Sequence, residues 1–169
     1  MAWVGPASWP RASVTRLAVR RFVASSSNQT FFIWPTLLLG AEAVRRESRP
    51  RLDPRFLPLL AWGYIQYRLC GNYRTRLGGG GPGFAKPPER LVTTGPYALT
   101  RNPMYLGHLV FAAGLALSLR SPLGWLLLLE RWRHFSNQVK EDEERLERLF
   151  GAEYQAYRSL VPCWLPGLR

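Results

Sequence analysis

The chain has only two cysteines and two lysines among 169 residues, and no acidic residue before Glu42. Cys70 and Cys163 stand far apart, with no Cys-x-x-Cys pair and no clustered histidine, so neither a zinc framework nor a disulfide scaffold organises the fold. The length allows one domain at most and excludes a large multidomain enzyme. Acids are scarce overall: 23 Lys plus Arg face 11 Asp plus Glu, a formal net charge of +12. With 47% hydrophobic and 13% aromatic residues, the chain is too apolar to be disordered, so this charge belongs to something that folds or inserts. Nucleic acid and an anionic membrane surface are the two partners such charge suggests. The arginines are spread along the chain and no recognition motif accompanies them, so no nucleic-acid partner is expected.

Long apolar runs are also few. A spanning helix needs roughly 20 mostly apolar residues, and a charge at mid-membrane is costly. The run from Phe22 to Ala41 opens on Ser25-Ser26-Ser27-Asn28-Gln29-Thr30 and holds Pro35, which makes it a poor span. Asn102 to Leu119 is a good one, and its Gly107, Ala112, Ala113, Gly114 and Ala116 suit close helix packing. Phe56 to Tyr67 and Ser121 to Leu129 are shorter and need arginines that snorkel at their ends. The expected fold is all-α: a multi-span integral membrane bundle of three to four short spans with a cytosolic C-terminal amphipathic helix. Residues 104–119 and 122–139 form a hairpin around Arg120 and Ser121, which puts the arginine-rich loop 68–101 and the C-terminal tail on the cytosolic side. The loop 45–55, with Arg45, Arg46, Arg49, Arg51 and Arg55, then faces outward, against the charge rule. Residues 1–30 form a basic N-terminal tail, whose composition fits a transit peptide or an irregular arm, and 31–169 the membrane domain.

Glycines 78 to 81 with Pro82 and Gly83 satisfy a dinucleotide-type glycine spacing, but no strand precedes them, so they read as a flexible connection. Gly95-Pro96-Tyr97 marks a turn, and Asn102-Pro103 reads as a cap followed by proline at the first helical position. On that helix Tyr105, His108 and Ala112 share one face. Further on, Leu146, Leu149, Phe150, Tyr154, Tyr157 and Leu160 form an amphipathic stripe. Glu141 and Glu144 precede Arg145 and Arg148 by four residues and read as exposed ion pairs. Asp142 and Glu143 fall on the stripe, and carboxylates there need a partner, such as an arginine, water or a cationic ligand.

Gly95-Pro96-Tyr97, Arg101-Asn102-Pro103-Met104-Tyr105-Leu106-Gly107, an apolar hairpin, Asp142-Glu143-x-x-Leu146, then Phe150-Gly151-x-x-Tyr154-x-x-Tyr157 and Val161-Pro162 together resemble the isoprenylcysteine carboxyl methyltransferase and phospholipid methyltransferase superfamily over residues 56–166. Asn102 stands where the prenylcysteine branch has histidine and matches the phospholipid branch, whereas the stretch from Glu143 to Pro166 looks like the prenylcysteine branch. The resemblance implies an integral membrane enzyme, its site open to the cytosol, that moves a methyl group from S-adenosyl-L-methionine to a lipophilic or small acceptor, with the bilayer as a further partner. It implies catalytic roles for Arg101, Asn102, Tyr105 and His108, and cofactor binding by Gly95, Tyr97, Arg101, Pro103, Tyr105, Asp142 and Glu143, with no metal. The alternative is a catalytically silent membrane scaffold of the same fold.

Overall fold

Four of the described helices carry a proline in their first turn and end at a residue of positive φ. The computed structural model describes residues 11–81 and 86–165. Pro82, Gly83, Pro166 and residues 1–10 of the basic tail, all used above, lie outside the described residues. Among the described residues the structure is all-helical: α1 (Arg11–Ala24), α2 (Ser26–Asn28), a π-helical turn (Gln29–Ile33), α3 (Trp34–Arg46), α4 (Leu57–Gly78), α5 (Pro103–Leu119), α6 (Pro122–Phe150) and α7 (Ala152–Leu160).

The expected hairpin is present. Pro103 opens α5 and Pro122 opens α6, positions where the missing N–H costs nothing. Between them Arg120 adopts φ +47, and the Ser121 hydroxyl accepts a hydrogen bond from the Gly124 N–H at 3.1 Å. The C-terminal helix differs from expectation. The acidic stretch is the end of a 29-residue α6 and not a separate surface helix. The chain turns only at Gly151, whose φ of +51 suits glycine, before the short α7. Leu149 and Leu160 of the proposed stripe are exposed, while Tyr154 and Tyr157 are buried.

Helix α5 is the central element, and small residues let its neighbours approach. A methyl on Gly63 of α4 would lie 2.6 Å from the carbonyl oxygen of Gly107, and one on Gly124 of α6 would lie 2.7 Å from Cα of Ala116. Any side chain at Gly63 or Gly107 must therefore push α4 and α5 apart. Gly63→Ala is expected to cost about 2 kcal/mol by overpacking. A thermal melt should fall by roughly 4–8 °C; an unchanged melt would mean that this crossing is not close.

One end of the bundle is tied by acids. Glu42 of α3, fully buried, pairs with Arg45 at 2.7 Å and Arg46 at 2.6 Å and accepts a hydrogen bond from Ser121 at 2.5 Å. Asp53 pairs with Arg55 and Arg120, each at 2.8 Å, and its N–H donates to the Ser118 carbonyl. Arg45, Arg46, Arg55 and Arg120 thus share Glu42 and Asp53, two acids for four arginines, and the loop keeps the five arginines that count against an outward placement.

No helix among the described residues is long and apolar enough to cross a membrane. The expectation of three to four spans is corrected to that extent. Helix α5 is apolar but only 17 residues long, about 25 Å at 1.5 Å per residue. Helices α4 and α6 have the length, but Arg68, Arg74 and Arg76 interrupt the one and Glu130, Arg131 and Arg133 the other.

Candidate active site

The stretch before α5 is held by its backbone. Gly95 adopts φ +59, and a Cβ there would lie 2.7 Å from the Tyr73 ring, so glycine is required for the turn. Tyr97 is buried: its hydroxyl donates to the Cys70 carbonyl at 3.4 Å, and its own carbonyl accepts from the Tyr157 hydroxyl at 2.7 Å. The C-terminal segment then straps the start of α5. The Arg101 N–H donates to the Pro162 carbonyl at 3.0 Å, and the Thr100 hydroxyl donates to that of Cys163 at 3.0 Å. Asn102 occupies the cap position without capping; its side-chain amide instead donates to the Cys163 carbonyl at 3.1 Å. Its observed work is to fasten the strap, a reason for asparagine here that the spacing alone did not reveal.

Behind this strap lies a cavity of about 1230 Å³. Tyr97, Arg101, Asn102, Pro103, Tyr105, His108, Asp142 and Glu143 all line it, and Gly95 does not. Arg101 from the start of α5 meets Glu143 from the last turns of α6, Nη2 to Oε1 at 2.8 Å, with side chains 10% and 14% exposed. The contact is close enough for an ion pair but leaves Glu143 Oε1 without a directed hydrogen bond, and Arg101 Nε also lacks a partner. Arg158 of α7 stands 3.7 Å from Glu143 and accepts at its carbonyl from Arg101 Nη1 at 2.9 Å. Asp142, one position earlier, accepts from the Tyr105 hydroxyl at 2.5 Å and from Gln138 at 3.4 Å. Burial raises its carboxyl above the ordinary aspartate value, with the Tyr105 bond opposing that shift.

Residues 71–153 match the sequence model of the phospholipid methyltransferase family. Protein-S-isoprenylcysteine O-methyltransferase of Mus musculus is 38% identical over 80 residues, which is 47% of this chain and 28% of that protein. The proteins of the same name from Schizosaccharomyces pombe and Saccharomyces cerevisiae are 38% and 36% identical over 77 residues, 45% of this chain and 33% and 32% of their own lengths. Over this stretch the chain is similar to the phospholipid methyltransferase family and to these isoprenylcysteine O-methyltransferases. It matches about a third or less of the length of these relatives.

The family stretch contains every residue expected at the site, from Gly95 to Glu143. Not all of the cavity wall lies in it. Ser25, Ser26, Ser27 and Asn28, with Tyr67 of α4, close one side, and Tyr154 and Tyr157 of α7 another. The serines were legible only as a polar interruption of an apolar run. Tyr67 carried no signal at all, because its contacts are with residues distant in sequence. His108 is 2% exposed, and its ring lies 4.7 Å from Phe31, 4.7 Å from Tyr67 and 4.8 Å from Phe135. It shares its helix face with Tyr105 as expected, inside an aromatic cage.

Proposed function

We propose that this protein is a methyltransferase that uses S-adenosyl-L-methionine to methylate a lipophilic or small acceptor at the bilayer. One observation carries the reading: Arg101 and the pair Asp142-Glu143, distant in sequence, converge on a single cavity where the buried Arg101 Nε has no hydrogen-bond partner and Glu143 Oε1 has only its ion pair with Arg101. Such atoms are rarely left without a partner. A zwitterionic amino-acid group suits them, its carboxylate to the guanidinium and its ammonium to the carboxylates. Gly95 and Pro103 act by setting the turn and the helix start; Tyr97 and Tyr105 offer aromatic walls that suit a cation. The bound cofactor would supply an electrophilic methyl on sulfur. The protein's part is to align the acceptor, keep water from it and, through the Tyr105 and Gln138 hydrogen bonds, offset the burial that disfavours ionised Asp142.

Titrating the detergent-purified protein with S-adenosylmethionine in a calorimeter tests this. Saturable binding supports the reading, and none by a folded sample supports the silent scaffold. That second reading has one observation in its favour: Arg101 is already engaged by Glu143.

Attachment to a bilayer is part of the proposal. Trp62, Ile65 and Leu69 on α4 and Trp125, Leu126, Leu129 and Trp132 on α6 are exposed apolar side chains on regularly spaced positions, a pattern that suits lipid better than water. The cavity lies at the end of α5 opposite the acid-tied loop, and Arg68, Arg76 and Arg90 border it, so that end would face the cytosol.

Asp142 gives a pH-dependent expectation. Its raised carboxyl means that cofactor affinity should weaken on acidification at a higher pH than an ordinary aspartate would impose. The sign for stability is opposite: an ionised group held in a burying site costs stability as pH rises. Asp142→Asn should therefore leave the melting temperature equal or higher while weakening cofactor binding about tenfold and flattening its pH profile. A variant that melts lower and retains the profile would contradict both halves.

A further inference from the structure

The cavity has a second end, which the donor-binding residues do not use. At about 1230 Å³ it is larger than the roughly 300–1,000 Å³ of a pocket for one ligand. All of its acids, Asp142 and Glu143, lie at the Arg101 end. At the other, helix α1 stops at Ser25, whose backbone is extended at φ −73 and ψ 118 and whose hydroxyl accepts from the Asn28 N–H. A π-helical turn follows at Gln29–Ile33, a wide turn that recurs at functional sites. This break turns serine hydroxyls toward the bundle: Ser27 Oγ donates to the Tyr67 hydroxyl at 2.7 Å, and Ser26 Oγ lies 3.3 Å from His134 Nε2. Because Tyr67 accepts from Ser27, its own proton remains to be given to another group. The Tyr67 ring lies 4.7 Å from that of His108, which also lines the cavity, is 2% exposed and has a buried Nδ1 with no hydrogen-bond partner.

We infer that Ser27 and Tyr67, with His108, form the acceptor subsite, holding the oxygen or nitrogen head of an otherwise apolar methyl acceptor. The inference rests on the methyltransferase reading above and adds to it the place and the residues of the acceptor. The Arg101 end, where charges of both signs lie, suits the zwitterionic donor; the hydroxyl and imidazole groups of the other end orient an oxygen or nitrogen head by hydrogen bonds, with Arg68, Arg76 and Arg90 elsewhere on the cavity wall. Ser27 and Tyr67 lie outside residues 71–153, the stretch that matches the family model. They are positioning residues, acting before methyl transfer and not in it.

The test compares Ser27→Ala and Tyr67→Phe with the unaltered protein in nanodiscs. Two probes are offered as acceptors, an S-farnesylated cysteine with a free carboxylate and phosphatidylethanolamine, which present an oxygen and a nitrogen head on an apolar body. For whichever is methylated, KM for the acceptor should rise about tenfold, the effect of one lost hydrogen bond, with kcat and the calorimetric Kd for S-adenosylmethionine within about twofold. A parallel loss of S-adenosylmethionine affinity would assign the wall to the donor and overturn the inference, as would an unchanged KM. If neither probe is methylated, the ring ¹⁵N signals of His108 in protein saturated with S-adenosylhomocysteine decide. A probe-induced shift that weakens in Tyr67→Phe supports the subsite, and signals unmoved by both probes reject it. Failure of the unaltered protein to bind S-adenosylmethionine is a separate result, which removes the methyltransferase reading and this inference with it.

Discussion

Glu143→Ala should lower S-adenosylmethionine affinity by more than about 100-fold, whereas Glu144→Ala, one position further along the same helix, should leave it within about twofold. The two carboxylates are chemically identical and differ only in the direction in which α6 points them. Glu143 has 14% of its side chain exposed and lies 2.8 Å from Arg101 on the cavity wall. Glu144 is 71% exposed and reaches only Arg148, at 3.9 Å, a surface contact worth little. On the proposed reading, removing Glu143 does two things to the site: it deletes an acceptor for the cofactor's ammonium and hydroxyl groups, and it leaves the nearly buried Arg101 guanidinium without its counter-charge. Glu143→Gln separates them, because the amide keeps the shape and a hydrogen-bonding oxygen while losing the charge; its affinity should fall between the other two. A melting curve for each variant guards against loss of fold. Equal binding by Glu143→Ala and Glu144→Ala would sink the assignment of Glu143 to the cofactor.

The helical-face argument that separates these glutamates was available in the sequence, since spacing relative to Leu146 and Phe150 is a local property. So were the turn at Gly95-Pro96, the start of α5 at Pro103 and the hairpin at Arg120-Ser121, all fixed by residues whose backbone preferences act within a few positions. What required the structure was non-local. That Arg101 is the partner of Glu143, and that Asp142 instead takes Tyr105, depends on how α5 and α6 cross. That Asn102 fastens the C-terminal strap and does not cap its helix depends on a segment some sixty residues away, at Cys163. The membrane reading was the least legible. Charge-free runs ignore helix boundaries, and α6 runs through Glu130 and Arg131 without a break. There Arg131 is buried, paired with Glu130 at 2.5 Å, donating to Gln29 at 3.1 Å and lying over the rings of Trp34 and Phe135. A charge count along the sequence treats that arginine as a barrier to burial, although its partners make burial tolerable.

Glu42→Ala should destabilise the fold by about 3 kcal/mol, lowering the thermal midpoint by roughly 6–12 °C. The sequence offers no motif at Glu42, yet this carboxylate is fully buried and takes three partners at once: Arg45, Arg46 and the hydroxyl of Ser121, itself without exposed surface. It thereby joins α3 to the turn between α5 and α6, and Arg46 completes the joint by donating to the Leu119 carbonyl at 2.6 Å. Breaking a buried ionic contact from one side costs more than the contact itself contributes, because the partners left behind are unsatisfied. Here the cost is moderated, since Arg45 and Arg46 keep 46% and 31% of their side-chain surface and can turn to water, while Ser121 cannot. Glu42→Gln, which retains an acceptor for Ser121, should therefore recover about half of the loss. The joint lies at the opposite end of α5 from the cavity, some 25 Å along a 17-residue helix, so S-adenosylmethionine affinity measured well below the melting range should stay within about twofold. A melting temperature unchanged to within a degree in Glu42→Ala would show that α3 does not help to hold the hairpin. A large loss of affinity in a still-folded variant would show instead that the two ends of α5 are coupled, and that the N-terminal helices, outside the stretch shared with the family, act on the site through the bundle as well as at its wall.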